Sequence, residues 1–179
     1  MKPGLTIYYN GSMNRKTARQ LLRALSRVPF AYSALAFIVA RRVAVRGWSM
    51  SPVLRDGDRV LFDRLAYVRG RPQRGDIVLA VHASRPGIRI IKRVVARDGD
   101  VVSIEGNRCW VNGERIGHLP GEPRGDARPG RTLERGEYFL AGDDLDFSTD
   151  SRELGPVRRR DILAQAWMVY WPPDRVGRL

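Results

Sequence analysis

The chain has 179 residues, 43% of them hydrophobic, enough for one compact domain of about 130 residues with an appendage but not for two. One cysteine, Cys109, excludes an intrachain disulfide and any multi-cysteine metal site, and two scattered histidines, His82 and His118, argue equally against a metal. The formal charge is +13, from 32 basic and 19 acidic residues. No G-x-x-x-x-G-K-[ST] or G-x-G-x-x-G segment suggests a nucleotide, so neither metal nor cofactor is expected.

The charge is unevenly placed. Residues 1–46 hold nine basic residues and no acid, crowded around the apolar stretch from Val28 to Ala40. Charge arranged in this way points to anionic lipid, whereas a nucleic-acid reader spreads a basic patch over its folded surface beside aromatic platforms. As a helix the stretch covers about 20 Å, short of the roughly 30 Å hydrocarbon layer. Continuing the helix from Leu21 to Val45 reaches about 37 Å but draws in Arg23, Arg27, Arg41 and Arg42, which must then snorkel. Three placements stay open: a short or tilted membrane anchor, a helix lying on the surface, and a helix packed on the domain. A cleavable secretory signal is not expected, because the apolar run begins late and leads straight into the next segment. The basic count before Arg27 favours a cytoplasmic N-terminus with the remainder on the outer face. The expected division is a basic segment over 1–42 and a β-rich domain over 43–179.

Next comes Arg46-Gly47-Trp48-Ser49-Met50-Ser51-Pro52. Pro52 removes a backbone donor and pushes Ser51 toward extended geometry, so a strand should end here at a sharp corner. A hydroxyl at such a corner can face a cleft, although Ser and Pro also mark ordinary turns. Strands then follow over Arg59 to Leu65, Asp76 to His82, Arg89 to Ala96, Val101 to Glu105, Arg108 to Val111, Glu137 to Ala141 and Ile162 to Trp171. Each is rich in Val, Ile, Leu or aromatics and bounded by Gly, Pro, Asn or Asp. Glu105-Gly106-Asn107 and Asn112-Gly113 read as tight hairpin turns, the second a type I′ signal. Residues 117–136, with several Gly and Pro, read as a long exposed loop or small insertion. The predicted fold class is mainly β: an antiparallel, coiled or barrel-like fold of about seven or eight strands with an N-terminal helix.

Lysine occurs only at Lys2, Lys16 and Lys92; all other basic residues are arginine. Arginine is a permanent cation, whereas a lysine can be deprotonated and serve as a base. Lys92 lies in the apolar run Ile90-Ile91-Lys92-Arg93-Val94-Val95, where an outward-facing lysine on an edge strand would look the same. A serine nucleophile needs a base. His82 and His118 sit in unrevealing contexts and the elbow G-x-S-x-G is absent, which leaves a serine-lysine pair. At an unperturbed pKa of roughly 10.4, about 0.04% of a lysine is neutral at pH 7. A useful base needs a shift of about 2 to 3 units, which burial among groups such as Ile90, Ile91, Val94 and Val95 can supply.

Four segments in order resemble the boxes of type I signal peptidases, including mitochondrial inner-membrane peptidases. They are Ser49-Met50-Ser51-Pro52, Arg74-Gly75-Asp76-Ile77-Val78, Lys92-Arg93-Val94-Val95 with Gly99-Asp100, and Gly142-Asp143 through Ser148-Thr149-Asp150-Ser151-Arg152. The resemblance runs from about residue 43 to residue 171. It implies that Ser49 attacks the scissile carbonyl with Lys92 as general base. It also implies that Ser148 lies within hydrogen-bonding reach of the lysine amine, with Asp150 and Arg152 a polar pair beneath the dyad. Met50 would line the cleft by packing, and Asp143 would belong to the turn that presents the last box. Gly47 stands where some relatives carry a serine that helps hold the oxyanion, so backbone N–H groups must do so here, that of Ser49 first. The loop from Ala96 to Asp100 is more charged than the Gly and Pro pattern usual in the family. The implied function is a membrane-associated monomer removing N-terminal signal peptides from exported preproteins through an acyl-enzyme. The substrate would lie extended beside Ser49 and Asp76 to Val81, with small residues such as alanine at the first and third positions before the cut.

Two rival readings belong to other classes. A self-cleaving Ser-Lys regulator of repressor type would carry a DNA-reading helix-turn-helix ahead of the serine, for which residues 1–46 are short and apolar. A noncatalytic basic β module would bind nucleic acid or membrane without proteolysis.

Overall fold

The computed structural model describes residues 37–81, 87–106, 108–116 and 130–179. Twelve strands carry it: β1 Arg41–Ala44, β2 Arg59–Asp63, β3 Ile77–Val81, β4 Arg89–Arg97, β5 Val101–Glu105, β6 Arg108–Val111, β7 Glu114–Arg115, β8 Arg131–Thr132, β9 Glu137–Ala141, β10 Val157–Arg158, β11 Ile162–Trp171 and β12 Gly177–Arg178. Two one-turn helices, α1 Ala66–Arg69 and α2 Ser151–Leu154, interrupt them. Each of the seven segments expected as strands from their Val, Ile, Leu and aromatic content contains one.

Every ladder is antiparallel. The large sheet runs β1-β2-β11-β3-β4-β9-β10, with β12 added on β11, and the small sheet runs β7-β6-β5-β8. Strands β3 and β9 are buried along almost their whole length, as expected of apolar strands inside a sheet covered on both faces. Register shifts interrupt β11 between Ile162 and Ala164, Ala166 and Met168, and Val169 and Trp171, and β4 between Val94 and Ala96. Bulges of this kind bend a strand and increase its twist, which coils the sheet.

One core cluster joins Met50 and Leu54 to Phe62, Ile77, Leu79 and Val169. A second joins Val95, Ala96 and Phe139 of the large sheet to Val102, Cys109 and Val111 of the small one. The Asn112-Gly113 turn has φ of 53° and 81° and links β6 to β7, the two positive values that a type I′ turn requires.

Two expectations are corrected. A helix continuing to Val45 is excluded, because Arg41–Ala44 is a strand in register with Phe62 to Arg59. The residues there alternate: Val43 and Val45 are buried while Arg42 and Ala44 are exposed, a period of two that suits a sheet and not a helix. Phe37 to Val39 are helical, with the Phe37 ring set edge-on to Trp167 of β11 at 6.4 Å. The rest of the apolar stretch from Val28 lies outside the described residues. No helix among those described is long and apolar enough to cross a membrane. The stretch 117–136 is not wholly loop, since β8 pairs with β5 through Thr132 and Arg131; residues 117–129 lie outside the described set.

Leu79 is fully buried at the centre of the large sheet. Leu79→Ala should cost about 2 to 5 kcal/mol in denaturant unfolding, the range for a cavity left by a core leucine. A loss under about 1 kcal/mol would mean that β3 is not the packed centre of this sheet.

Candidate active site

The first part of the site is the loop between β1 and β2. Its base is closed by Val45 N–H donating to the Asp58 carbonyl at 2.7 Å and Gly57 N–H to the Val45 carbonyl at 3.1 Å. Within it, Ser51 N–H donates to the Trp48 carbonyl and Leu54 N–H to the Met50 carbonyl, both at 2.8 Å. Met50 and Leu54 face the core while Trp48 and Val53 face out, so the loop is anchored on one side and Ser49 is left half-buried at its edge. Gly47 has φ of 86°, a left-handed conformation that glycine adopts without penalty, and its N–H donates to Asp56 Oδ1 at 2.8 Å. That amide is therefore committed to its own loop.

The second part comes from β4. Pairing with β3 sets Lys92 opposite Val78, and the lysine is 4% exposed. Its Nζ donates to Ser49 Oγ at 2.6 Å. Burial lowers the amine to a pKa of about 8; the Arg152 charge pushes the same way, and Asp150 and Asp143 oppose it.

The third part is the turn from Gly142 to Arg152 that follows β9. Asp150 caps α2 by accepting from Arg152 N–H at 3.1 Å, and its other contacts are Gly142 N–H at 3.0 Å and the Ser148 hydroxyl at 2.6 Å. The Arg152 guanidinium grips the same carboxylate at 2.9 and 3.0 Å and also donates to the carbonyls of Leu145 and Ser148. Burial alone would raise the Asp150 pKa, but Arg152, Ser148 and the two backbone donors outweigh it and hold the carboxyl below its usual range.

Backbone and ion-pair ties bring the three parts together. Asp144 N–H donates to the Ser49 carbonyl at 3.1 Å. A β-carbon at Gly142 would collide with Ser148 Oγ and the Ser49 carbonyl, so the close approach of turn and loop depends on a glycine there. Arg93 reaches Asp143 with two bonds of 2.6 and 2.8 Å and donates to the Gly75 carbonyl at 2.7 Å.

Ser49 and Lys92 are in contact, and Ser148, Asp150 and Arg152 form one buried polar cluster beside them. The hydrogen bond from Ser148 goes to Asp150. Met50 is a core residue, and Asp143 holds the last turn to β4 through Arg93. Sequence reasoning missed the roles of Arg93 and of the Asp144 amide; the adjacency of Arg93 to Lys92 was the available signal for the first. Among the described residues no three His, Cys, Asp or Glu side chains converge as a metal site.

Fold and site together define a class: an antiparallel β protein in which a buried lysine faces a serine on a tight loop. The family model described as signal peptidase, peptidase S26, matches residues 18–171. Mitochondrial inner membrane protease subunit 2 of Mus musculus is 32% identical over 177 residues, covering 94% of this chain and 90% of that protein. Signal peptidase I of Pseudomonas aeruginosa is 33% identical, covering 73% of this chain and 65% of the relative. For the probable signal peptidase I-2 of Synechocystis the values are 30%, 73% and 63%, so the match spans just under two thirds of these two bacterial relatives. The chain belongs to the signal peptidase family, peptidase S26.

The side chains of Asp150 and Arg152 are 0% and 4% exposed. Asp150→Ala leaves a buried guanidinium without its counter-charge and should cost about 3 to 5 kcal/mol in urea unfolding. Because the folded Asp150 pKa is depressed, its contribution is present above the ordinary carboxylate range and is lost as pH falls through the folded value. A wild-type stability equal to that of Asp150→Ala at neutral pH would refute the role given to this pair.

Proposed function

We propose that this protein is a membrane-associated serine endopeptidase that removes N-terminal signal peptides from exported preproteins, with Ser49 as nucleophile and Lys92 as general base. The observation that carries the reading is the 2.6 Å contact between Lys92 Nζ and Ser49 Oγ, made by an amine that burial lowers to a pKa of about 8. At pH 7 about a tenth of such an amine is neutral, against about 0.04% of an ordinary lysine, a gain of more than two orders of magnitude in available base.

The chemistry follows from that contact. The neutral amine takes the Ser49 hydroxyl proton as Oγ attacks the scissile carbonyl carbon, giving a tetrahedral oxyanion and a lysine ammonium. The ammonium returns its proton to the leaving amine nitrogen, the C–N bond breaks, and the signal peptide stays as an ester on Ser49 while the mature chain departs. Lys92, neutral again, draws a proton from water, which attacks the ester; the ammonium then reprotonates Oγ as the signal peptide leaves with a new carboxylate. The Ser49 N–H is the first candidate donor to the oxyanion, the Gly47 amide being engaged by Asp56. The Ser148 hydroxyl, held by Asp150, would steady the amine from the other side.

Signal peptidase I enzymes are named among the relatives, which supports preprotein signal peptides as substrates. Nine basic residues and no acid around the apolar N-terminal stretch support attachment to anionic lipid with the domain on the outer face. A self-cleaving regulator is disfavoured by the signal peptidase family match over residues 18–171.

Ser49→Ala and Lys92→Arg should each abolish cleavage of a preprotein, the second because arginine keeps the charge and cannot give up its proton. Undiminished cleavage by either variant would remove the dyad. In wild type, kcat/KM should rise with pH through a midpoint at about 8, as the amine loses its proton. A profile flat from pH 6 to pH 9 would contradict a lysine base.

A further inference from the structure

The family match ends at residue 171, yet the segment beyond it reaches back to the loop that carries Ser49. After β11 the chain makes a 3₁₀ turn over Pro173–Arg175 and returns as β12, which pairs with Met168 and Val169 of β11. Arg175 leaves this turn and enters the loop. Its Nε and Nη2 donate to the two oxygens of Asp58, each at 2.9 Å, and Nη2 also donates to the Val53 carbonyl at 3.0 Å.

The place of these contacts in the loop decides what they do. Asp58 closes the loop base through its carbonyl, which accepts from Val45, and its carboxylate accepts from Arg55 N–H at 2.9 Å. Val53 lies on the outer turn, next to Leu54, whose N–H is tied to the Met50 carbonyl. One guanidinium therefore links Asp58 at the base of the loop to Val53 on its outer turn, and so braces the arm of the loop that follows Ser49. The pair is well enclosed, with side chains 2% exposed for Asp58 and 21% for Arg175, and a two-bond fork fixes orientation as well as distance. From the opposite side the loop is held by Asp144 N–H on the Ser49 carbonyl.

We infer that Arg175 is a positioning residue, which sets the nucleophile loop against Lys92 by bracing Asp58 and the Val53 carbonyl from the segment after β11. The inference rests on the reading of Ser49 as nucleophile. It differs from a general packing role in its consequence: loss of the brace moves Oγ relative to Nζ, and a misplacement of about 1 Å costs about 10²-fold in rate. Substrate binding along the sheet does not depend on it.

Arg175→Ala and Arg175→Lys test the idea, each assayed for preprotein cleavage well below its own melting midpoint and, in parallel, for amide hydrogen exchange. For Arg175→Ala, kcat should fall about 10- to 100-fold with KM changed less than about twofold. The Ser51 and Leu54 amides should exchange about tenfold faster or more, while the amides of β3 and β4 stay as in wild type. Arg175→Lys keeps the charge but not the fork, and should lie between wild type and Arg175→Ala; if the alanine variant does not fold, the lysine variant decides alone. Unchanged kcat and unchanged loop exchange in the folded variants would overturn the inference. So would faster exchange spread evenly over the sheet, which signals lost global stability alone. If wild type itself cleaves no preprotein, the proposed function fails, and the loop exchange still reports whether Arg175 braces the loop.

Discussion

One buried amine governs this structure. Lys92 is the only lysine after residue 16, it stands in the middle of the large sheet, and its nitrogen donates to the side-chain oxygen of Ser49. Withdrawal of a lysine from water penalises its charged form, so the same enclosure that lowers its pKa also burdens the fold at neutral pH. A sheet packed on both faces around Val78, Leu79 and Val94 is the kind of frame that can bear this cost without letting the side chain swing out to solvent.

The frame by itself would leave the serine free. Ser49 belongs to a loop, and a loop holds an oxygen within hydrogen-bond distance of a fixed amine only if it is tied at several points. Its base is closed on Val45 and Asp58, its apolar residues Met50 and Leu54 enter the core, and its carbonyl at Ser49 is held by the turn after β9. That turn is in turn secured from inside, by the Asp150 carboxylate with Arg152 and Ser148, and from outside, by Arg93 on Asp143. Ion pairs at two depths have different tasks here: the buried one shapes the turn, and the half-exposed one fastens the turn to the strand that carries Lys92.

Much of this was legible in the sequence, for identifiable reasons. Strand β3 is an unbroken run of Ile, Val, Leu and Ala, β4 sets Ile and Val pairs on either side of Lys92-Arg93, and β9 joins Tyr, Phe, Leu and Ala; with turn residues at their ends, all three read as strands. Lys92 was conspicuous because it is chemically unlike the arginines around it. A strand ending at the Ser-Pro corner was expected, but the bounds of β1 were not, because two valines alternate over very few residues and the Arg41-Arg42 pair also suits the flank of an apolar helix. Strand β8 is two residues long, and its partner β5 lies far back in the chain, so no local pattern marks it. Arg175 was invisible for a related reason: it is one arginine among many, and its partner Asp58 is separated from it by 117 positions.

The direct test is a titration of the Lys92 amine itself. With three lysines in the chain, the side-chain resonance can be assigned by its absence in Lys92→Met and followed by NMR against pH. A midpoint at about 8 is predicted. A Lys92 midpoint near the free-lysine value of roughly 10.4 would contradict the claim that burial makes this residue a base.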